Sequence, residues 1–158
     1  MKNKRVFVSQ QGVAAVTTNL PKTPKLGRLG ITDKTPRWGL SLVDIDGEWG
    51  WQNVTRSDLA GVVALLREME KLTWSKIRTQ MTGGKRRRGA LHKYIPMSSC
   101  SPSAQARLAQ LGLEEHDGFC FRFRHGNLGR LWGVVEGTTF YPVWWDPAHT
   151  VCKRDDHL

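Results

Sequence analysis

An α+β fold, with helices packed on a small antiparallel β-meander, follows from three features of this 158-residue chain. Apolar residues recur at helical spacing between Thr55 and Leu72. Apolar and cationic residues alternate at period two from Phe119 to Arg124. Two further strand-like runs with tight turns then follow, after the helices. The length allows one domain with an extension, and 39% hydrophobic residues with seven Trp supply a core. We place the division at a basic N-terminal arm over 1–37 and a single α+β domain over 38–158.

Near the start, Arg5–Ser9 reads as a short strand. Residues 19–37 carry Pro21, Pro24, Pro36, Gly27 and Gly30 among five cations, the composition of an irregular arm. Trp38–Asp44, the turn signal Asp46-Gly47, and Trp49 and Trp51 at period two predict a β-hairpin over 38–53. A helix over 55–72 opens on a capping box of Thr55 and Asp58. Leu59, Val62, Val63, Leu66 and Met69 are its expected core stripe. Thr73 caps a shorter helix reaching about Gln80, with Trp74 and Ile77 on one side. Gly83-Gly84 ends it, and the loop Lys85, Arg86, Arg87, Arg88 follows. Ser101-Pro102 starts a third helix that stops at Gly112. Glu114, Glu115 and Asp117 form an acidic connector. Strands are then expected over 119–124, 128–135 and 138–145, joined at Gly126-Asn127 and Glu136-Gly137. Pro142 lacks an N–H, so it belongs at an edge or a bulge.

The net charge of +10 is unevenly spread. Residues 1–37 hold eight basic residues and one acidic; residues 71–93 hold eight basic and none acidic. The rest is net negative. Two cationic blocks point to a polyanionic partner, and nucleic acid is the usual one because neutralised phosphates release counterions. No apolar run approaches a bilayer span and no signal-peptide core follows Arg5, so a cytoplasmic protein with no membrane partner is expected. Cys100, Cys120 and Cys152 are far apart with no CxxC spacing. Reduced thiols are the plain reading, and no metal and no cofactor is expected.

The sharpest chemical constellation is Arg122, Arg124, Arg130, Tyr141 and His149, with His92, Lys93 and Tyr94. Attack by a 2′-hydroxyl needs a proton acceptor, cations on the phosphate and a donor to the leaving oxygen. His suits proton transfer, Arg the phosphate charge, and Tyr a splayed base. Arg122 and Arg124 lie two apart on a strand and share a face, to which Arg130 could be added. Each residue also has a plainer reading. The arginines can solvate an outer sheet face. Trp132, Trp144 and Trp145 read as core. His149 can close a turn in which Asp146 bonds the backbone. No paired-carboxylate arrangement, phosphate loop, GxSxG or HExxH occurs.

Phe119-Cys-Phe-Arg-Phe-Arg124, Gly129-Arg-Leu-Trp-Gly-Val-Val135 and Gly137-Thr-Thr-Phe-Tyr-Pro-Val-Trp144 together resemble the C-terminal meander of the RelE/ParE/HigB toxin superfamily. The stretch Phe140-Tyr-Pro-Val-Trp-Trp-Asp-Pro-Ala-His149 is similar to the W-x-D-P-x-H close of small phage and mobile-element proteins. The toxin likeness covers about 55–151. It implies a metal-independent endoribonuclease that cleaves mRNA on the ribosome and is restrained by an antitoxin or other protein partner. On that likeness Arg130, Tyr141 and His149 would be catalytic. Lys85, Arg86, Arg87, Arg88, His92, Lys93, Arg122 and Arg124 would hold RNA. Residues 1–54 have no counterpart in the minimal toxins. The alternative is a non-enzymatic basic binding protein of a phage or mobile element that blocks a nucleic-acid-binding or defence complex.

Overall fold

The computed structural model describes residues 33–83, 89–114, 116 and 118–153. The strand expected at Arg5–Ser9, the arm up to residue 32 and the cations Lys85–Arg88 lie outside the described residues. The elements run β1 (Arg37–Trp38), α1 (Arg56–Met69), α2 (Trp74–Thr79), β2 (Lys93–Pro96), α3 (Pro102–Gln110), β3 (Phe119–His125), β4 (Gly129–Glu136) and β5 (Thr139–Asp146). They form an α+β fold around one mixed sheet ordered β1-β5-β4-β3-β2. Among the described residues no helix is long and apolar enough to cross a membrane.

Local chemistry sets the helix ends. The Thr55, Thr73 and Ser101 hydroxyls accept the Asp58, Lys76 and Ala104 N–H groups, so each helix starts where a cap residue was expected. Gly112 ends α3 at φ 68°, a left-handed conformation that costs a glycine little.

The antiparallel meander forms as expected. Its β4–β5 register pairs Trp132 with Trp144 and Gly133 with Pro142, leaving Val143 as the extra residue of a bulge. Pro142 thus lies where the ladder is already interrupted. The bulge brings two backbones close at Gly133. A Cβ there would run into the Tyr141 carbonyl oxygen and lie 2.6 Å from Phe140 Cζ. Gly133→Ala is therefore expected to destabilise the fold by about 2 kcal/mol in urea unfolding, the usual size of an overpacking strain. A loss below about 0.5 kcal/mol, the scale of an unstrained substitution, would refute the tight approach.

Both faces of the sheet are covered. Against one face lie Val62, Leu65 and Met69 of α1 and Trp74 and Ile77 of α2, packed on Phe121, Phe123, Leu131, Phe140 and Trp145. Against the other lie Ala104 and Leu108 of α3 and Leu42 and Trp49 of the 39–53 segment, packed on Cys120, Trp132, Val134 and Trp144. The three tryptophans expected as core are buried, Trp132 and Trp144 at 0% exposure.

Three expectations need correction. The hairpin over 38–53 does not form. Only Arg37–Trp38 is strand, and it pairs parallel with β5. Trp49 enters the α3-side core and Trp51 packs against the α1/α2-side core. The segment therefore wraps round the sheet edge, whereas period-two residues of a flat strand would share a face. The core stripe of α1 is rotated: Val62, Leu65 and Met69 are buried, while Leu59 and Val63 are exposed. Both stripes fit helical spacing, and only the position of the sheet selects one. Finally, the end of the basic block 71–93 enters a strand, β2, at Lys93. At four residues, ending in Pro96, it is too short for alternation to announce it.

Candidate nucleic-acid interface

Register places Arg122, Arg124 and Arg130 on one face, as their spacing requires: Arg124 lies opposite Arg130, and Arg130 lies opposite Asp146. That face is not open to solvent, which corrects the surface expected for it. Arg122 is 1% exposed and Arg130 0%. Alternation of apolar with cationic residues marks two faces but does not say that the cationic one is wet. The core on that side of the sheet is built with α3, the 39–53 segment and Val151 and Cys152 after β5.

The buried guanidinium groups bond to backbone carbonyls. Arg130 Nη1 donates to the Asn127 and Gly129 carbonyls at 3.0 and 3.1 Å. The half-buried Arg124 donates through Nε to the Gly126 carbonyl at 3.1 Å. Both arginines thus hold the β3–β4 turn. Arg122 Nη1 donates to the Leu91 carbonyl at 2.6 Å, tying β3 to the chain entering β2.

His92 is 2% exposed and its bonds define its tautomer. Nδ1 accepts the Arg124 backbone N–H at 3.1 Å, so the ring proton sits on Nε2, facing the Gln80 side-chain oxygen at 3.0 Å. Burial, aided by the Arg122 charge, pushes its pKa down to about 4. His92 is therefore a neutral structural imidazole at neutral pH. Tyr141 is half-buried, its ring passing so close to Gly39 that a side chain there would collide with it. His149 sits in the turn after β5 at φ 58°. In that turn the Asp146 carboxylate accepts the Thr150 and Val151 N–H groups at 2.8–2.9 Å. The side-chain turn bond expected of Asp146 is present.

Exposed cations are spread over the described residues, at Lys34, Arg37, Arg56, Arg67, Lys71 and Lys153 as well as on α2. Lys76 is exposed, and Arg78 and Lys93 are partly so. The Arg78 guanidinium lies over the Tyr94 ring, 5.7 Å from its centroid. Tyr94 projects from the edge strand β2 onto the α2 side and packs on Phe121, while Lys93 leaves the same edge on the opposite face. No family model, curated protein or solved structure matches this chain.

The ends of α2 are also where the chain leads into the cationic stretches outside the described residues. At its first residue, the Trp74 N–H donates to the Lys34 carbonyl at 2.9 Å. After its last, Met81 bridges Ala90, with Leu91 N–H on the Gln80 carbonyl at 2.7 Å, at the base of the segment holding Lys85–Arg88. Six helical residues span only about 9 Å. The described residues include 13 basic and 10 acidic side chains, so seven of the ten net positive charges lie in the stretches outside them. In sequence, Lys76 and Arg78 carry no signal beyond charge within the block 71–93. The fold is what sets Arg78 beside Tyr94.

Proposed function

We propose that this protein is a nucleic-acid-binding protein that acts by binding rather than cleavage, with the α2 side as its contact surface. The supporting observation is that the described ends of both cationic stretches, near Lys34 and near Met81 and Ala90, flank the one short helix that carries Lys76 and Arg78. Cation-rich stretches joined to a near-neutral body are the charge pattern that favours a polyanionic partner. Cleavage of the toxin type draws less support. Arg130 is held at the β3–β4 turn inside the fold, and His92 is a neutral imidazole whose two nitrogens both face protein groups.

Fluorescence anisotropy with a labelled 20-nucleotide RNA tests the reading. The full chain is expected to bind at 50 mM salt and to weaken steeply by 200 mM. Replacing Lys76, Arg86, Arg87 and Arg88 by Ala should reduce the slope of log K against log salt by about 2 to 3, roughly 0.7 for each lost single-strand phosphate contact. The same RNA should remain intact in EDTA over hours. Absence of salt-sensitive binding, or an unaltered slope in the variant, refutes the proposal; EDTA-resistant cleavage restores the nuclease reading.

A further inference from the structure

We infer that Arg78, laid over Tyr94, is a stacking platform for an unpaired base, so that the polyanion bound at the α2 side is a single-stranded nucleic acid. This rests on the binding function proposed above and specifies its ligand. A guanidinium about 6 Å or less from a ring centroid is held by the ring's quadrupole. At 5.7 Å from the Tyr94 centroid, Arg78 meets that condition.

The layer beneath is a packed aromatic cluster. Tyr94 meets Phe121 edge-to-face at 4.9 Å and 79°, and Phe121, 0% exposed, meets Trp74 at 5.4 Å and Phe123 at 5.0 Å. Burial pushes the Tyr94 hydroxyl pKa up, against the opposing pull of Arg78, so the ring stays neutral. Among the described residues no ion pair engages Arg78. The group beside its charge is thus an aromatic ring and not a carboxylate.

A planar cation backed by an aromatic layer offers a base the surface on which unstacked bases settle. Bases inside a duplex are stacked on one another and do not reach such a group. Lys76, exposed on the same helix, adds positive charge for the backbone, while Lys93 leaves β2 on the opposite face of the sheet and is not part of this surface. Stacking is tolerant of sequence, so the preference should follow base area, with adenine above uracil.

The test compares the full chain binding 12-nucleotide oligo(A), 12-nucleotide oligo(U) and a 12-base-pair duplex, each as RNA and as DNA, at one salt concentration. Arg78→Lys keeps the charge and removes the plane. The partly exposed position leaves folding intact, and Tyr94→Leu removes the backing ring as a second variant. Oligo(A) is expected to bind more tightly than oligo(U) or duplex. Arg78→Lys is expected to cut the ratio of oligo(A) to duplex affinity by about five- to tenfold, the scale of one stacked base, with the salt slope retained. Equal RNA and DNA effects place the contact on the base; an RNA-only effect adds the 2′-hydroxyl. A ratio unchanged in both variants, or a duplex preferred by the native chain, overturns the inference while leaving nucleic-acid binding in place. Native protein that binds none of the oligonucleotides overturns both.

Discussion

Replacing Glu136 by Gln is expected to make the fold lose about 3 kcal/mol as pH falls from 7 to 4.5, an interval over which the native chain changes little. Two buried groups with opposite shifts produce that balance. Glu136 is 8% exposed, with His116 Nδ1 at 3.4 Å, and burial pushes its carboxyl up to about 7. The folded state therefore takes up its proton before the unfolded state does. The resulting stabilisation is full below the unfolded value near 4.5 and is lost as pH rises through 7.

His92 runs the other way. Its folded pKa is about 4 against 6.5 unfolded, so acid protonates the unfolded chain first and stability falls between those values. A move from 6.5 to about 4, or from 4.5 to about 7, corresponds to roughly 3 kcal/mol, and over the shared window the two oppose each other. Glu136→Gln leaves only the histidine slope. His92→Asn leaves only the glutamate slope, and its stability should rise as pH falls. Urea unfolding at pH 7, 5.5 and 4.5 reads both signs. A Glu136→Gln curve as flat as the native one would show that the carboxyl is not perturbed in this way.

The second large effect is at Asp44, which is 3% exposed. Its carboxylate accepts Arg107 Nη2 at 2.7 Å, Arg107 Nε at 2.9 Å and Trp144 Nε1 at 2.8 Å. Its backbone N–H donates to the Val143 carbonyl and its carbonyl accepts the Trp51 N–H. One residue thus fastens the 39–53 segment to both α3 and β5.

Asp44→Ala would leave the Trp144 indole N–H buried and unbonded, and the Arg107 guanidinium without its forked partner. Arg107 is 23% exposed and recovers some hydration, so the expected cost is about 3 kcal/mol, the lower end for a broken buried pair. Arg107→Ala should cost a similar amount by stranding the carboxylate. The double variant should cost less than the sum by about 1–2 kcal/mol. Burial by itself raises the Asp44 pKa, but the bonds from Arg107 and Trp144 outweigh it and the net shift is downward. The pair's contribution is therefore present above pH 4 and is lost only as pH falls below it, outside the window in which His92 and Glu136 titrate. A loss under 1 kcal/mol for Asp44→Ala would mean the segment is held by its tryptophans alone.

Residues whose partners lie within a few positions were legible in sequence. Thr55, Thr73 and Ser101 cap the helices they were expected to cap, Gly112 and Gly137 take the left-handed conformations their turns need, and Pro142 sits at a bulge. Asp46-Gly47 signalled a turn correctly. What that turn connects was not readable, because Trp49 and Trp51 are drawn to opposite sides of a sheet built mainly from residues 93–146.

The candidate site divides the same way. The cationic blocks, their residues and the shared face of Arg122, Arg124 and Arg130 are written in the sequence, since charge is composition and a strand alternates every two residues. Whether that face is wet depends on α3 and the 39–53 segment, which approach it only through long-range packing. Burial turned the most reactive-looking residues, Arg122, Arg130 and His92, into supports of the fold. The same packing set the Arg78 guanidinium over the Tyr94 ring, 16 positions along the chain, a contact no local pattern encodes. Local preferences act over one or two turns, whereas desolvation is decided by everything that packs above a side chain.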